Sequence, residues 1–518
     1  MLPSLGSGVA LALSLPPWGW WPLAFAGAGI LYWRLRGLPL RARVLSGWLA
    51  GLGCFVPGLW WAKEFNWYGA AALMAAEALS MAAAAAIVPP GRGRLPAFAG
   101  AFTGLEAVRS TWPWGGLPLG GVFLGQAGGP WLDAARLGGP LLLTLVVWAG
   151  GAAVAEVLTS AGGRPADTRV GTSAPPASRR PAGRPALPGI AAGTVAAVLV
   201  AAAGAAGAAA PGGGPAVGSV AVAAVQGGGR RGLSKAEVSP SSVFDAQLAA
   251  TGRLLPRRRA RLVLWPEDVV SVRAPLPGTP QAAILSSLAR RLAATVVAGV
   301  TATVSSTAFR NEAVAWGPGG RVVATYEKVH RVPFGEYVPY RSFFAHLANL
   351  AEVPLDAVAG HGTGLMRTPA APLGVMLSYE VFFSGRGRSA VRAGARLLVV
   401  PTNTSSYAGD QVPAQEVAAD RVQAVEEGRD LVQAAPTGYS SVVDAGGAVL
   451  RQSDLGARQV LVASVALRTG RTVYERFGDL PVLVLVAALV AAGWAAAGRR
   501  RQHRRHRAPG PGSPPQGS

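Results

Sequence analysis

The sequence predicts an α/β layered domain inserted into a polytopic α-helical membrane domain, on three observations. Half of the 518 residues are hydrophobic and only 14% are charged, with a mean hydropathy of +0.32, which lies outside the usual range of a soluble chain. Long apolar stretches crowd residues 1–211 and return at 480–498. Between them, over 212–479, short apolar runs of strand length alternate with segments of helical spacing, the pattern of an α/β domain.

The first 34 residues are apolar but too long for one span of about 20 residues. Pro16 and Pro17, followed by Trp18, Trp20 and Trp21, divide them into a helical hairpin that turns near a membrane interface. The run lacks the basic leader and small-residue cleavage site of a signal peptide. Further spans are predicted at 44–62, 68–90, 95–112, 137–160, 188–211 and 480–498, eight in all. Arg34, Arg36, Arg41 and Arg43 follow the second span, and Arg92 and Arg94 the fourth. Arg164, Arg169, Arg179, Arg180 and Arg184 follow the sixth, in a Pro- and Ser-rich stretch, 161–187, that reads as a disordered linker. The basic tail 499–518 follows the eighth, and is also predicted to be unstructured. All these arginines lie on one side, which the positive-inside bias assigns to the cytoplasm. The segment 212–479, after the seventh span, is therefore predicted to be extracytoplasmic at the cell membrane.

The formal charge of +22 does not indicate nucleic acid, because the arginines are scattered and no RNP motif, zinc-finger spacing or helix-turn-helix accompanies them. A basic balance in a membrane protein reports loops beside anionic lipid. One cysteine, Cys54, excludes an internal disulfide framework. His503 and His506 in the tail lack the rigid surround that a metal site needs, so no metal is predicted.

Within 212–479, SVAVAAVQGG (219–228), RLVLWPE (261–267), RVVATYEK (321–328), LGVMLSYE (373–380) and ARLLVVPTN (395–403) read as strands. Helical spacing appears in QAAILSSLARRLAATV and PAQEVAADRVQAVEEGRD. The glycines at 317–320 serve a hairpin turn, and no phosphate-binding fingerprint is present. Polar residues at strand ends collect along one edge of a layered sheet, where such folds hold their sites. Three stand out: Glu267, Lys328 and Ser378. The chain has only three lysines, Lys63, Lys235 and Lys328, and a lysine, unlike an arginine, can be used as an acid or an electrostatic clamp. A solvated strand-end lysine is the plain alternative.

WPE at Trp265 to Glu267, YEKVHRVPFGEYVP at Tyr326 to Pro339, SYEVFF at Ser378 to Phe383, PTN at Pro401 to Asn403, RVQAVEEGRDLVQAAPTG at Arg421 to Gly438 and TVYERFGDLP at Thr472 to Pro481 together resemble the nitrilase-type domain of apolipoprotein N-acyltransferases. LALSLPPWGWWPLAFAG and LEAVRSTWPWGGLPLG are similar to that family's membrane segments. The resemblance implies a nitrilase-like αββα sandwich and ping-pong acyl transfer without a cofactor. A phospholipid would give its acyl group to the enzyme and then to the N-terminal amine of a diacylated lipoprotein. Glu267 would be the general base and position 378 the nucleophile. Lys328 and the backbone N–H of Tyr379 would stabilise the oxyanion, Glu336 would orient Lys328, and Glu380 would brace the turn. The family's nucleophile is a cysteine, and here the position is Ser378. A serine hydroxyl needs a well-placed base where a thiol needs little help, no GxSxG turn is present, and His330, two residues after Lys328, is the histidine that would serve as a base instead. The sequence therefore leaves open an active acyltransferase, a silent relative that binds lipids or lipoproteins, and an outer-face carbon–nitrogen hydrolase.

Two further expectations concern the membrane side. Glu106 and Arg109 stand at the outer end of the fifth span, where an ion pair or a function is expected, and the resemblance makes Arg109 a candidate for the lipid headgroup. The apolar segment 342–355 reads as an arm dipping into the outer leaflet or, equally, as a core helix.

Overall fold

The computed structural model describes residues 1–64, 67–161, 187–229, 239–254, 260–346, 350, 353–407, 409 and 411–505. Most of the expected linker 161–187 and of the basic tail, with His506, lie outside the described residues. The chain opens with α1 (Leu2–Ser14), α2 (Pro22–Arg34), α3 (Leu40–Gly58), α4 (Trp67–Ile87), α5 (Arg94–Arg109), α6 (Ala135–Ala161) and α7 (Leu187–Ala209). Among the described residues, four stretches are long and apolar enough to cross a membrane: Trp67–Ile87, Leu132–Ala161, Gly189–Ala209 and Leu480–Gly498. The break at Pro16 and Pro17 separates α1 from α2, each of 13 residues, or about 20 Å of helix. Small residues let these helices approach closely, as in other lipid-embedded packings. A Cβ added at Gly8 would lie 2.0 Å from Ala50 O of α3, and Ser7 Oγ donates to Gly27 O of α2 at 2.8 Å.

The α/β domain follows, with β1 (Ala216–Gln226), α8 (Pro240–Gly252), β2 (Leu262–Leu264), β3 (Val270–Val272), α9 (Pro280–Leu292), β4 (Thr295–Thr303), β5 (Ala308–Trp316) and β6 (Val322–Glu327). Next come α10 (Arg341–Phe344), β7 (Asp356–Ala357), β8 (Leu365–Arg367), β9 (Pro372–Val375), α11 (Ser384–Arg392), β10 (Leu397–Pro401) and α12 (Val412–Glu427). The chain ends with β11 (Leu431–Ala434), β12 (Ser441–Val443), β13 (Val449–Gln452), β14 (Gln459–Arg468), α13 (Val473–Phe477) and α14 (Leu480–Arg505).

Two sheets form, ordered β14–β1–β2–β4–β5–β6 and β13–β12–β11–β10–β9–β8. The period-two alternation of each strand sorts its side chains between two cores. Leu262, Leu264, Val297, Leu373, Leu397 and Val399 meet between the sheets. On the outer face of the first sheet, Val263, Val296 and Ala298 pack under Phe244 of α8 and Leu285 and Leu288 of α9. On the outer face of the second, Leu398 and Val400 pack under Val422 and Val425 of α12. The result is an αββα sandwich. The α12 core is continuous with the membrane-helix core, so the sandwich stands on the helical domain by that layer. Gln415 of α12 pins the junction, donating to Gly58 O at 3.1 Å and accepting from Gly120 N at 3.2 Å.

Of the expected arm, the structure describes one helical turn, α10, followed by a partly described stretch. Phe343 is 60% exposed, whereas Phe344 stacks edge-on to Phe334 at 5.0 Å and to Trp114 at 6.2 Å. Residues 347–349 and 351–352 of it lie outside the described residues.

Candidate functional site

The ends of β2, β6, β9 and β10 and the start of β5 converge on one edge of the sandwich. They deliver Glu267, Lys328, Ser378, Thr402 and Asn311, all buried. The turn carrying Glu267 lies on β4 so closely that a Cβ at Gly299 would fall 2.4 Å from Glu267 Cα; only glycine admits that approach.

Lys328, 1% exposed, donates to Glu267 Oε1 at 2.9 Å and to Glu336 Oε1 at 2.9 Å. Asn311 Nδ2 donates to the same two oxygens, at 2.9 and 2.8 Å, and Val332 N donates to Glu336 Oε2 at 2.8 Å. Burial disfavours the ammonium, but the two carboxylates outweigh it and hold Lys328 protonated, well above its ordinary range. Burial also raises Glu267, with Lys328 pulling down and Glu336 pushing up, and the net is upward. Two carboxyls beside one ammonium favour retention of a proton. Of the three ammonium donors, two are used within the described residues, which leaves one for a substrate oxygen.

Glu380 is wholly buried and gathers the surrounding backbone. It accepts from Leu377 N at 2.9 Å, Val329 N at 2.8 Å, His330 N at 3.0 Å, and the Tyr326 hydroxyl at 2.9 Å. These are the peptides flanking Ser378 and Lys328, so one carboxylate sets both. Ser378 itself has φ 47°, a left-handed conformation that costs a non-glycine residue and recurs at strained catalytic turns. Glu380→Ala is expected to orphan four buried donors and to destabilise the domain by about 3–5 kcal/mol. Chemical unfolding of the purified variant checks this, and a loss under about 1 kcal/mol would remove the bracing role.

Ser378 Oγ lies 3.0 Å from Thr402 Oγ1 and 3.4 Å from Glu416 Oε1. Among the described residues it has no hydrogen bond to Glu267, whose N–H instead donates to Thr402 O at 3.3 Å. Tyr379 turns its hydroxyl to Gly116 O at 2.7 Å, and the Tyr337 hydroxyl donates to Trp114 O at 3.3 Å. The site edge therefore faces the 112–119 loop of the helical domain. His330 stacks on Phe383 at 4.3 Å, its Nδ1 has no partner among the described residues, and burial lowers its pKa.

Arg109 forms the ion pair that was one of its two expectations. It is 4% exposed, and all five of its N–H donors point inward. It meets Glu106 at 2.8 Å, Glu77 at 3.2 Å, and the carbonyls of Leu117, Pro118 and Leu119. The guanidinium staples the 117–119 loop to α4 and α5, with no donor directed at a headgroup. Sequence reasoning also missed Asn311, Thr402 and Glu416. Thr402 sits in the PTN stretch singled out above and Asn311 lies within β5, its carbonyl accepting from Lys328 N, but Glu416 lies in a helix whose spacing signalled only packing.

Residues 7–153 match the family described as apolipoprotein N-acyltransferase N-terminal domain, and residues 222–474 match that described as carbon-nitrogen hydrolase. The apolipoprotein N-acyltransferase of Mycolicibacterium smegmatis is 31% identical, over 94% of this chain and 83% of that one. That of Bradyrhizobium diazoefficiens is 28% identical, over 98% of this chain and 96% of that one. The solved carbon-nitrogen hydrolase of Helicobacter pylori is 16% identical, covering 51% of this chain and 95% of that one at a TM-score of 0.39. Both halves of the sequence, the helical one and the sandwich, thus match within single relatives over nearly the whole chain, and the chain belongs to the apolipoprotein N-acyltransferase family.

Proposed function

We propose that this protein moves a fatty acyl group from a membrane phospholipid to the N-terminal amine of diacylglyceryl-cysteine lipoproteins. The observation that carries this reading is a buried lysine, two glutamates and a serine at one sheet edge, set against a loop of the apolar helical domain. Ser378 is the nucleophile that holds the acyl group, as an ester. Lys328 and the backbone N–H of Tyr379 receive the charge of the tetrahedral oxyanion, in a water-poor setting where such donors count most. Glu336 and Asn311 orient the lysine, and Glu267 carries a proton to and from the reacting groups.

The surroundings suit a lipid donor. Trp112 is 69% exposed, and Trp114, Tyr340 and Phe343 are exposed with it, on loops beside the site. Such residues favour the membrane–water interface. In this reading all eight apolar segments cross or enter the bilayer, both termini are cytoplasmic, and residues 212–479 form the extracytoplasmic domain, as the arginine distribution requires. Phe343, at the described start of the expected arm, then faces the outer leaflet.

Mass spectrometry of lipoprotein N-termini tests the function. Deleting the gene is expected to leave lipoproteins diacylated, and the intact gene, but not Ser378→Ala, to restore the third acyl chain. Unchanged N-acylation after deletion would end the proposal.

A further inference from the structure

The polar partners of the Ser378 hydroxyl are Thr402 and Glu416, and neither belongs to the cluster around Lys328. Thr402 has one hydroxyl proton, and its 2.6 Å contact to Glu416 Oε1 takes that proton in preference to the 3.0 Å contact to Ser378 Oγ. Ser378 is then the donor, either to Thr402 or directly to Glu416 Oε1 at 3.4 Å. Glu416 is 1% exposed, and its Oε2 is buried with no partner among the described residues. Meanwhile Glu267 Oε1 is committed to Lys328 and Asn311. A long hydrogen bond to a nucleophile before substrate arrives is ordinary and tightens during reaction.

We propose that Glu416, working with Thr402, is the catalytic base that removes the Ser378 proton, while Glu267 serves the substrate's own oxygen and nitrogen. The proposal rests on the acyl-transfer reading and divides its proton transfers between two carboxyls. In acylation, Ser378 Oγ bonds to the ester carbonyl carbon and the carbon–oxygen bond to glycerol breaks. The Ser378 proton passes to Glu416, and the departing glyceryl oxygen takes a proton from Glu267. In the second half, the acceptor amine bonds to the acyl carbon and returns a proton to Glu267, and Ser378 Oγ leaves and regains its proton from Glu416. Each carboxyl ends as it began.

The test uses the full-length protein in detergent. A fluorophosphonate probe reads the nucleophilicity of Ser378 directly, because Oγ displaces fluoride from phosphorus whatever the natural acyl donor. Glu416→Gln keeps the shape and removes the base. It is expected to slow labelling by about 100-fold. Thr402→Val, which severs the relay by another route, is expected to slow it by about 10-fold. The control is Ser378→Cys, labelled with iodoacetamide, since a thiol needs little help from a base. Adding Glu416→Gln to that variant is expected to change its labelling by less than about threefold. A selective loss in the serine protein supports the assignment. Unchanged labelling of Glu416→Gln, or an equal loss in the cysteine background, overturns it, the latter because it reports a structural role. No labelling of the native protein overturns it too, and leaves N-acylation to be judged by the lipoprotein N-termini.

Discussion

Replacing Lys328 with methionine is expected to abolish acyl transfer and to weaken the sandwich together. Methionine nearly matches the lysine in length, so packing is retained and the charge alone is removed. Glu267 Oε1 and Glu336 Oε1, each 2.9 Å from Lys328 Nζ, would then face one another with only Asn311 between them. Breaking a buried pair by removing one partner costs about 3–5 kcal/mol. Removing one oxyanion donor costs about 10²–10³ in rate, and loss of the positive charge adds to that. The two effects separate in a double variant. Lys328→Met with Glu336→Gln relieves the uncompensated charge, so stability is expected to recover by more than about 1 kcal/mol while activity stays lost. Chemical denaturation and single-turnover acylation measure both. A Lys328→Met enzyme that kept a tenth of its activity would place the oxyanion elsewhere.

The acylation rate of the native enzyme is expected to peak between about pH 7 and 8, with a rising limb set by ionisation of Glu416, far above the range of an ordinary carboxylate, and a falling limb where Glu267, raised to about 7, loses the proton it gives to the leaving oxygen. Burial is the main cause, pushing Glu416 up to about 8; Glu267 adds to the rise, while Thr402, Ser378 and Lys328 oppose it. The groups facing Glu416 are Glu267 and Lys328, Tyr407 and, on its own helix, Asp420. The sign follows from the role: a carboxyl accepts a proton only when ionised, and below its pKa each pH unit removes about tenfold of that form. Well below the peak the rate should therefore approach a tenfold fall for each pH unit. Glu416→Gln should be slow throughout and lack this limb. Stopped-flow release of lysophospholipid across pH 5–9 measures it, and a limb at pH 4–5 would assign the base to a solvated carboxylate.

A layered α/β domain was legible because its strands are short apolar runs ended by polar residues, and that pattern follows from burial on both faces of each sheet; that the layers make a sandwich was implied by the resemblance alone. Glu267, Lys328 and Ser378 were legible because each closes such a run. The helical hairpin at the N-terminus announced itself through Pro16 and Pro17, whose rings and missing N–H groups interrupt any helix. Local rules read these features because the physics that produces them is local.

Arg109 marks where local reading stops. An arginine beside Trp112 near the end of an apolar helix has the chemistry of a headgroup ligand, and nothing near it in sequence says that three carbonyls at 117–119 and the carboxylate of Glu77 will consume its donors. Glu416 is the converse. In sequence it is one polar position in a helix of mixed character, and only the packing of α12 over β10 brings it within reach of Thr402 and Ser378.

By itself the sequence determined that a basic, apolar chain would make membrane helices and a layered α/β domain, and which strand ends would carry a carboxylate, an amine and an alcohol. The tertiary structure alone decided how those groups divide. Lys328 goes with Glu267, Glu336 and Asn311, and Ser378 with Thr402 and Glu416. Hydrogen bonds and pKa values depend on distances of about 3 Å between residues remote in the chain, and such distances exist only once the layers are packed.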